Sequence, residues 1–216
     1  SAYERGDSQQ APERGRSLDA ALGWKQGAHS LRVGVFESRF TNYIALEATG
    51  GPDFMDGEGG SFPIYAFRGV RAKLYGLELE GNWRALAGVR TLDIDAKLDI
   101  VQGRNLDSGE ALPRLAPLRI TVGLNLVQGA WTTRAEVQHA STQERVPATD
   151  VATAGWTLVN LSSSYALTTD ARQALLFVKL QNVGNRLAYS ATTIGTVRAL
   201  PPLPGRGLTV GLRASF

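Results

Sequence analysis

The sequence predicts an all-β chain: an antiparallel up-and-down transmembrane β-barrel, or part of one, that crosses a membrane with its strands. Three observations predict it. Apolar and polar residues alternate strictly along nine segments. The joins between those segments alternate short and long. The aromatic residues on the apolar faces gather beside the short joins. Period-two alternation gives a strand one apolar and one polar face, and no stretch carries a helical period.

The strands are expected at 16–26, 30–46, 64–86, 90–103, 117–128, 130–145, 155–168, 172–189 and 206–216. In the third, Tyr75, Leu77, Leu79, Gly81 and Trp83 alternate with Gly76, Glu78, Glu80, Asn82 and Arg84. In the fourth, Leu92, Ile94, Ala96, Leu98 and Ile100 alternate with Asp93, Asp95, Lys97 and Asp99. In the fifth, Leu118 to Leu126 alternate with Arg119, Thr121, Gly123 and Asn125. Trp131, Thr133, Ala135 and Val137 oppose Thr132, Arg134, Glu136 and Gln138 in the sixth. Leu176, Val178 and Leu180 mark the eighth, and Leu208, Val210, Leu212, Ala214 and Phe216 the last. Several of these strands exceed the about 5–6 residues usual in soluble sheets.

The joins near 27–29, 87–89, 129 and 169–171 are tight, whereas those at 47–63, 104–116, 146–154 and 190–205 are long and hold the Gly and Pro clusters. Outer-membrane barrels have this asymmetry, with short periplasmic turns and longer extracellular loops. Trp24, Trp83, Trp131, Tyr165 and Phe216 sit on apolar faces near short joins or the C-terminus, where antiparallel pairing gathers them into one rim. Trp and Tyr favour the headgroup region, so these five are expected to form a membrane girdle.

A charge facing lipid at mid-bilayer costs about 2–4 kcal/mol, and the apolar faces carry almost none. The opposite faces carry Glu78, Glu80, Asp93, Asp95, Asp99, Arg119 and Arg134, which are expected to line the lumen. Glu37 is the exception, because it follows Leu31, Val33 and Val35 on the apolar face. A β-bulge near Val35–Phe36 is expected to turn Glu37 and Arg39 inward.

Composition narrows the chemistry. The 216 residues are 43% hydrophobic and 20% charged, with no cysteine and two histidines, His29 and His139. This excludes disulfide frameworks and thiol nucleophiles, and leaves little for a His-rich metal site. The net charge of +3 comes mostly from scattered arginine rather than a basic stripe, so no nucleic-acid partner is expected. No apolar run is long enough for a spanning helix. Paired carboxylates such as Glu78/Glu80 and Asp93/Asp95 read as wall networks facing arginine rather than as acid–base catalysts. No enzyme activity and no cofactor are expected, and no metal site is assignable. The loop residues Asp53, Asp56 and Glu58 lack EF-hand spacing, but they offer a substrate-capture surface.

Single-chain bacterial barrels have even strand numbers, and nine strands leave two open edges that lipid cannot satisfy. Either 1–15 hides a strand, or the chain is one part of a larger barrel, with 1–15 the tail of an extracellular loop. The chain starts at Ser1 without a basic-then-apolar leader, as a mature form or a piece of something longer does. The alternatives are a complete small barrel of ten strands acting as an adhesin or rim hydrolase, and a soluble barrel holding an apolar ligand inside.

Six stretches resemble one family, the TonB-dependent outer-membrane receptors. Pro12-Glu13-Arg14-Gly15-Arg16-Ser17-Leu18-Asp19 is similar to the lead-in of a mid-barrel strand. Arg39-Phe40-Thr41-Asn42-Tyr43-Ile44 looks like a rising strand, and Tyr75-Gly76-Leu77-Glu78-Leu79-Glu80 like the descending YGxExE strand. Leu112-Pro113-Arg114-Leu115-Ala116-Pro117 resembles the PRxPxxR segment, and Val178-Lys179-Leu180-Gln181-Asn182-Val183-Gly184-Asn185 the VxNLxN segment. Pro204-Gly205-Arg206 and the strand to Phe216 resemble the family's terminus. The resemblance implies the C-terminal nine of about 22 strands, with the plug domain and TonB box outside this sequence. It implies active uptake of a metal chelate, haem or siderophore-like nutrient, energised by the TonB complex, in the bacterial outer membrane among its lipids. The zinc and haem uptake receptors are the most similar branch, although Tyr189-Ser190-Ala191 stands where zinc-type members often carry histidine. Thr209 to Phe216 resembles the C-terminal signal read by the barrel assembly machinery.

Overall fold

In the computed structural model, which describes residues 3–169 and 172–215, the chain is built from strands, and the described residues contain no helix. In chain order they are β1 (Tyr3–Arg5), β2 (Gly15–Gln26), β3 (His29–Ala48), β4 (Phe54–Met55), β5 (Ser61–Phe62), β6 (Ile64–Leu86), β7 (Arg90–Asn105), β8 (Arg119–Gln128), β9 (Trp131–Ala140), β10 (Trp156–Thr169), β11 (Arg172–Gln181) and β12 (Gly207–Ser215). Nine of these form one antiparallel meander in the order β12-β11-β10-β9-β8-β7-β6-β3-β2. Gly27 and Gly129 adopt φ of 58° and 55° in two of the tight joins, the left-handed geometry that short hairpin turns require.

All nine expected strands form, but two end early. β9 stops at Ala140 rather than at 145. Beyond it the chain closes a loop through a Gln143–Thr153 bridge, and the Gln143 amide donates to the Leu115 carbonyl at 2.9 Å. β11 stops at Gln181 rather than at 189, because Asn182 and Asn185 take φ of 46° and 48°, and asparagine is among the few side chains that tolerate this region.

A strand does exist within 1–15. β1 pairs in parallel with the start of β6, Tyr3 opposite Ile64. It therefore extends the long-loop end of the sheet and does not join β2 to β12, so among the described residues the sheet stays open along both edges. β4 and β5 form a separate small hairpin inside the 47–63 loop.

The expected bulge at Val35–Phe36 is absent. β3 keeps unbroken register with β2 from Phe40 to His29, and the irregularity against β6 falls between Phe40 and Tyr43. Glu37 and Arg39 therefore share the face of Leu31, Val33 and Val35. The physical reason is strand length. The apolar run of β7 from Leu92 to Ile100 covers nine residues, and so does Trp83 to Tyr75 in β6. A tilted strand needs about 9–11 residues to cross a bilayer. Glu37 lies opposite Tyr75, at the end of that run, and its carboxylate is held by Arg39 Nε at 2.6 Å and Lys73 Nζ at 2.7 Å.

The two faces are packed very differently. On the apolar face nothing covers the side chains, and Leu22 is 82% exposed. The buried core lies at the long-loop end on the opposite face. Val70, Ala72, Leu112 and Ala140 are buried there, with Asn105 among them. Leu112 folds back over Gly103, which it would touch at 2.9 Å were a Cβ present. Three cross-strand pairs on the polar face, Phe40–Gly15, Phe36–Gly76 and Phe177–Gly211, each lay an aromatic ring over a glycine that leaves space for it.

Candidate functional site

The polar face carries a ladder of ion pairs, set by strand register. Arg84 meets Asp93 through two bonds, Nε to Oδ1 at 2.7 Å and Nη2 to Oδ2 at 2.9 Å. Lys97 lies 3.0 Å from Glu80, directly opposite it on the neighbouring strand. Arg119 donates to Asp99 at 2.9 Å, again between opposed residues. The densest point is Arg134. Its guanidinium reaches diagonally to both oxygens of Asp95, at 2.5 and 2.9 Å, and holds Glu136 at 2.8 Å. Gly123 lies in register between Asp95 and Glu136, and the bare backbone there is the floor on which the guanidinium rests. Gln138 and Asn160 complete the contacts of Glu136 at 2.7 and 3.4 Å.

Among the lumen candidates the register thus brings together Glu80, Asp93, Asp95, Asp99, Arg119 and Arg134. Glu78 faces Asp99 and Gly34 instead, and it forms no ion pair among the described residues. Carboxylates paired in this way have their lone pairs occupied by guanidinium and ammonium donors. The arrangement suits a polar wall rather than acid–base chemistry.

The loop carboxylates do not converge. Asp53 accepts from the Ser61 hydroxyl at 2.7 Å, and Asp56 Oδ1 accepts the backbone N–H groups of Glu58 and Gly60 at 3.0 and 2.6 Å. These bonds build the β4–β5 hairpin turn and leave the Glu58 side chain exposed. No group of three or more possible metal ligands forms among the described residues.

Of the aromatic residues expected at one rim, Trp131 and Tyr165 are direct cross-strand partners with ring centroids 4.8 Å apart. Trp83 packs on the His29 ring at 4.1 Å, and Trp24 pairs with Leu31, whose other neighbour is Gly81. All four lie on the apolar face close to a tight join. Phe216 lies outside the described residues. His139 sits at the opposite end of its strand, hydrogen-bonded to the Thr157 hydroxyl at 2.9 Å.

The long loops are organised by polar residues that periodicity does not mark. Arg198 is buried and donates to Asp150 at 2.9 and 3.1 Å, to the Val151 carbonyl at 2.7 Å and to the Thr193 carbonyl at 2.9 Å. Asn182 takes the Arg186 N–H at 2.8 Å and donates to the carbonyls of Arg186 and Pro204 at 2.9 and 3.0 Å. Asn105 caps the N–H groups of Asp107 and Ser108 and donates to Glu47. The Asp107 carboxylate is held below the usual carboxylate range, first by the Arg71 backbone N–H and then by its guanidinium. The sequence signal for Asn182 is its place in the VxNLxN-like segment. Asp150 and Arg198 carry no comparable signal.

The model of the TonB dependent receptor-like β-barrel family matches residues 2–183, and the chain belongs to that family. It is a bacterial outer-membrane protein, and its sheet is a transmembrane barrel wall. Heme/hemopexin utilization protein C of Haemophilus influenzae is 33% identical over 100 residues, covering 45% of this chain and 13% of that protein. The fold is shared with the copper transporter OprC (TM-score 0.79, 19% identity, 97% of this chain and 33% of that one). It is shared also with the FrpB iron transporter of Neisseria meningitidis (TM-score 0.68, 15% identity, 98% and 32%) and with the pyoverdine receptor FpvA of Pseudomonas aeruginosa (TM-score 0.61, 19% identity, 99% and 31%). The chain spans about a third of the length of these structures, and less of the curated relative.

Proposed function

We propose that the chain is barrel wall, loops and lumen lining of a receptor that takes up a metal chelate, haem or siderophore-like nutrient, driven by the TonB complex. The observation that carries this reading is the division between the faces: a bare apolar face that suits lipid, and behind it a ladder of satisfied ion pairs. Such a ladder keeps the wall polar and wet and pairs most of the carboxylates of β6 and β7 with neighbouring cations. On this reading Glu78, Glu80, Asp93, Asp95, Asp99, Arg119 and Arg134 face the lumen, and Trp24, Trp83, Trp131 and Tyr165 form the periplasmic-side girdle. Asp53, Asp56 and Glu58 lie on the loop that meets substrate. The nine strands are the C-terminal part of the barrel, with plug and TonB box on preceding sequence. The barrel assembly machinery reads the last strand.

The names of the relatives support the substrate class: haem and hemopexin, copper, iron, and pyoverdine in a bound complex. The test is uptake of radiolabelled haem iron and siderophore iron by cells with and without the full-length gene. Gene-dependent accumulation that stops when the proton-motive force is collapsed is the expected result. Accumulation that persists without that force, or none for any chelate, overturns the reading.

A further inference from the structure

A row of cations crosses four neighbouring strands in register. Arg16 of β2 lies opposite Arg39 of β3, Arg39 opposite Lys73 of β6, and Lys73 opposite Arg104 of β7. All four share the apolar face. The last wholly apolar row on that face is Ala20, Val35, Leu77 and Ile100, two register steps below; the row between holds Leu18, Glu37, Tyr75 and Gln102. Four residues of strand separate the rows, about 13 Å along the tilted chain, which puts the cations at the level of the headgroups on the long-loop side.

Like charges set directly opposite one another across strands destabilise a sheet, and this row does so three times over. Glu37 is the only carboxylate that salt-bridges to it among the described residues, through Arg39 and Lys73. Arg104 donates to the Gly109 carbonyl at 3.0 Å, which leaves its charge uncompensated. A fifth cation, Arg145, comes down from the β9–β10 loop. It bonds Gln102 at 2.6 Å, and Gln102 also accepts from the Tyr75 hydroxyl at 2.8 Å. Adjacent strands lie about 4.8 Å apart, so the row is about 14 Å wide. That width suits two phosphates carried at opposite ends of a disaccharide.

We propose that this row is a binding site for a lipid headgroup carrying two or more phosphates, in the leaflet on the long-loop side. The anion offsets the repulsion along the row, and continuity with the apolar band below lets acyl chains lie on Val35 and Leu77 while the phosphates meet Arg16, Arg39, Lys73 and Arg104. The site belongs to the outer surface of the barrel and is independent of whatever substrate the receptor carries.

The test uses the full-length receptor in mild detergent, with native mass spectrometry as the readout. The probes are diphosphorylated lipid A, the same glycolipid without phosphates, and inorganic pyrophosphate. Retention of the diphosphorylated lipid is the expected result, falling about fivefold for each cation removed in R16Q and R104Q and abolished in R16Q/R39Q/K73Q/R104Q. Should the quadruple variant fail to fold, the two single variants decide, since neither residue forms a salt bridge among the described residues. Equal retention of the phosphate-free glycolipid, or wild-type retention by R16Q and R104Q, overturns the proposal. Displacement of the lipid by pyrophosphate assigns the row to a soluble polyanion and overturns it as well.

Discussion

Asp150 and Arg198 lie 48 residues apart, on different loops, and each is the other's means of burial: their side chains are 5% and 7% exposed. The guanidinium also serves three loop carbonyls, those of Val151, Ala191 and Thr193. One side chain thus ties the β9–β10 loop to the β11–β12 loop. Removing one partner of such a pair strands a buried charge, at a cost of about 3–5 kcal/mol. The variant D150A should therefore raise hydrogen exchange across 190–205 and leave the strand amides unchanged. R198K should behave nearly as badly, because an ammonium cannot reach a carboxylate and several carbonyls in the planar fork of arginine.

What the sequence made legible, and what it hid, follows from the same contrast. Strand placement, face assignment and the tight joins came from period two, which operates wherever one face is apolar and the other wet. The ion pairs of β6 to β9 followed once those strands were adjacent. The loops have no period. Asp150 meets Arg198 only because β10 and β11 bring two distant loops side by side, and Asn182 ends β11 through its own backbone angle. The bulge expected near Val35 failed for a different reason: the charge at Glu37 was read as lying inside the lipid band, when the band had already ended.

Asn182 combines a left-handed backbone with three side-chain hydrogen bonds. N182A leaves buried partners unsatisfied, at about 1–3 kcal/mol, and adds the strain of an alanine at positive φ. N182G removes the same bonds without that strain. Thermal melting of the full-length protein should rank wild type above N182G, and N182G above N182A.

Gly123 and Arg134 are coupled through space rather than through a bond. A methyl at 123 would overlap the guanidinium and lift it from Asp95. G123A should destabilise the wild type but cost little in an R134A background. A double-mutant cycle should give a coupling of about 0.5–3 kcal/mol, and additive effects would sink the account.

Asp107 makes the β7–β8 loop sensitive to acid. Its carboxylate is held below its ordinary range in the folded protein by Arg71. The tether is therefore present at neutral pH and fades as pH falls through that lowered value. Protection of the loop amides, measured relative to their intrinsic exchange rates, should fall on acidification below the usual carboxylate range. D107N should show that lowered protection already at pH 7, with little further change as pH falls.

Leu79 stands midway between Trp83 and Tyr75 on the apolar face. L79R places a charge at the centre of the band, at about 2–4 kcal/mol, and should lower the yield of heat-modifiable, assembled protein. T132R, on the opposite face of β9 between Val127 and Ser164, should assemble normally. Equal yields would sink the account, and the reverse ranking would mean that the faces have been assigned the wrong way round.

Among the described residues, burial is gathered at one end, around Ala72, Leu112, Ala140 and Asn105, while the half nearer the tight joins holds no buried side chain. The wall is in effect a stiff collar on a compliant skirt. Regions with few buried contacts open at the lowest free energy, so heat or a harsh detergent should fray the strands from the turn end upward. The loop collar should remain folded longest, holding the strands in register at their tops after their lower halves have parted.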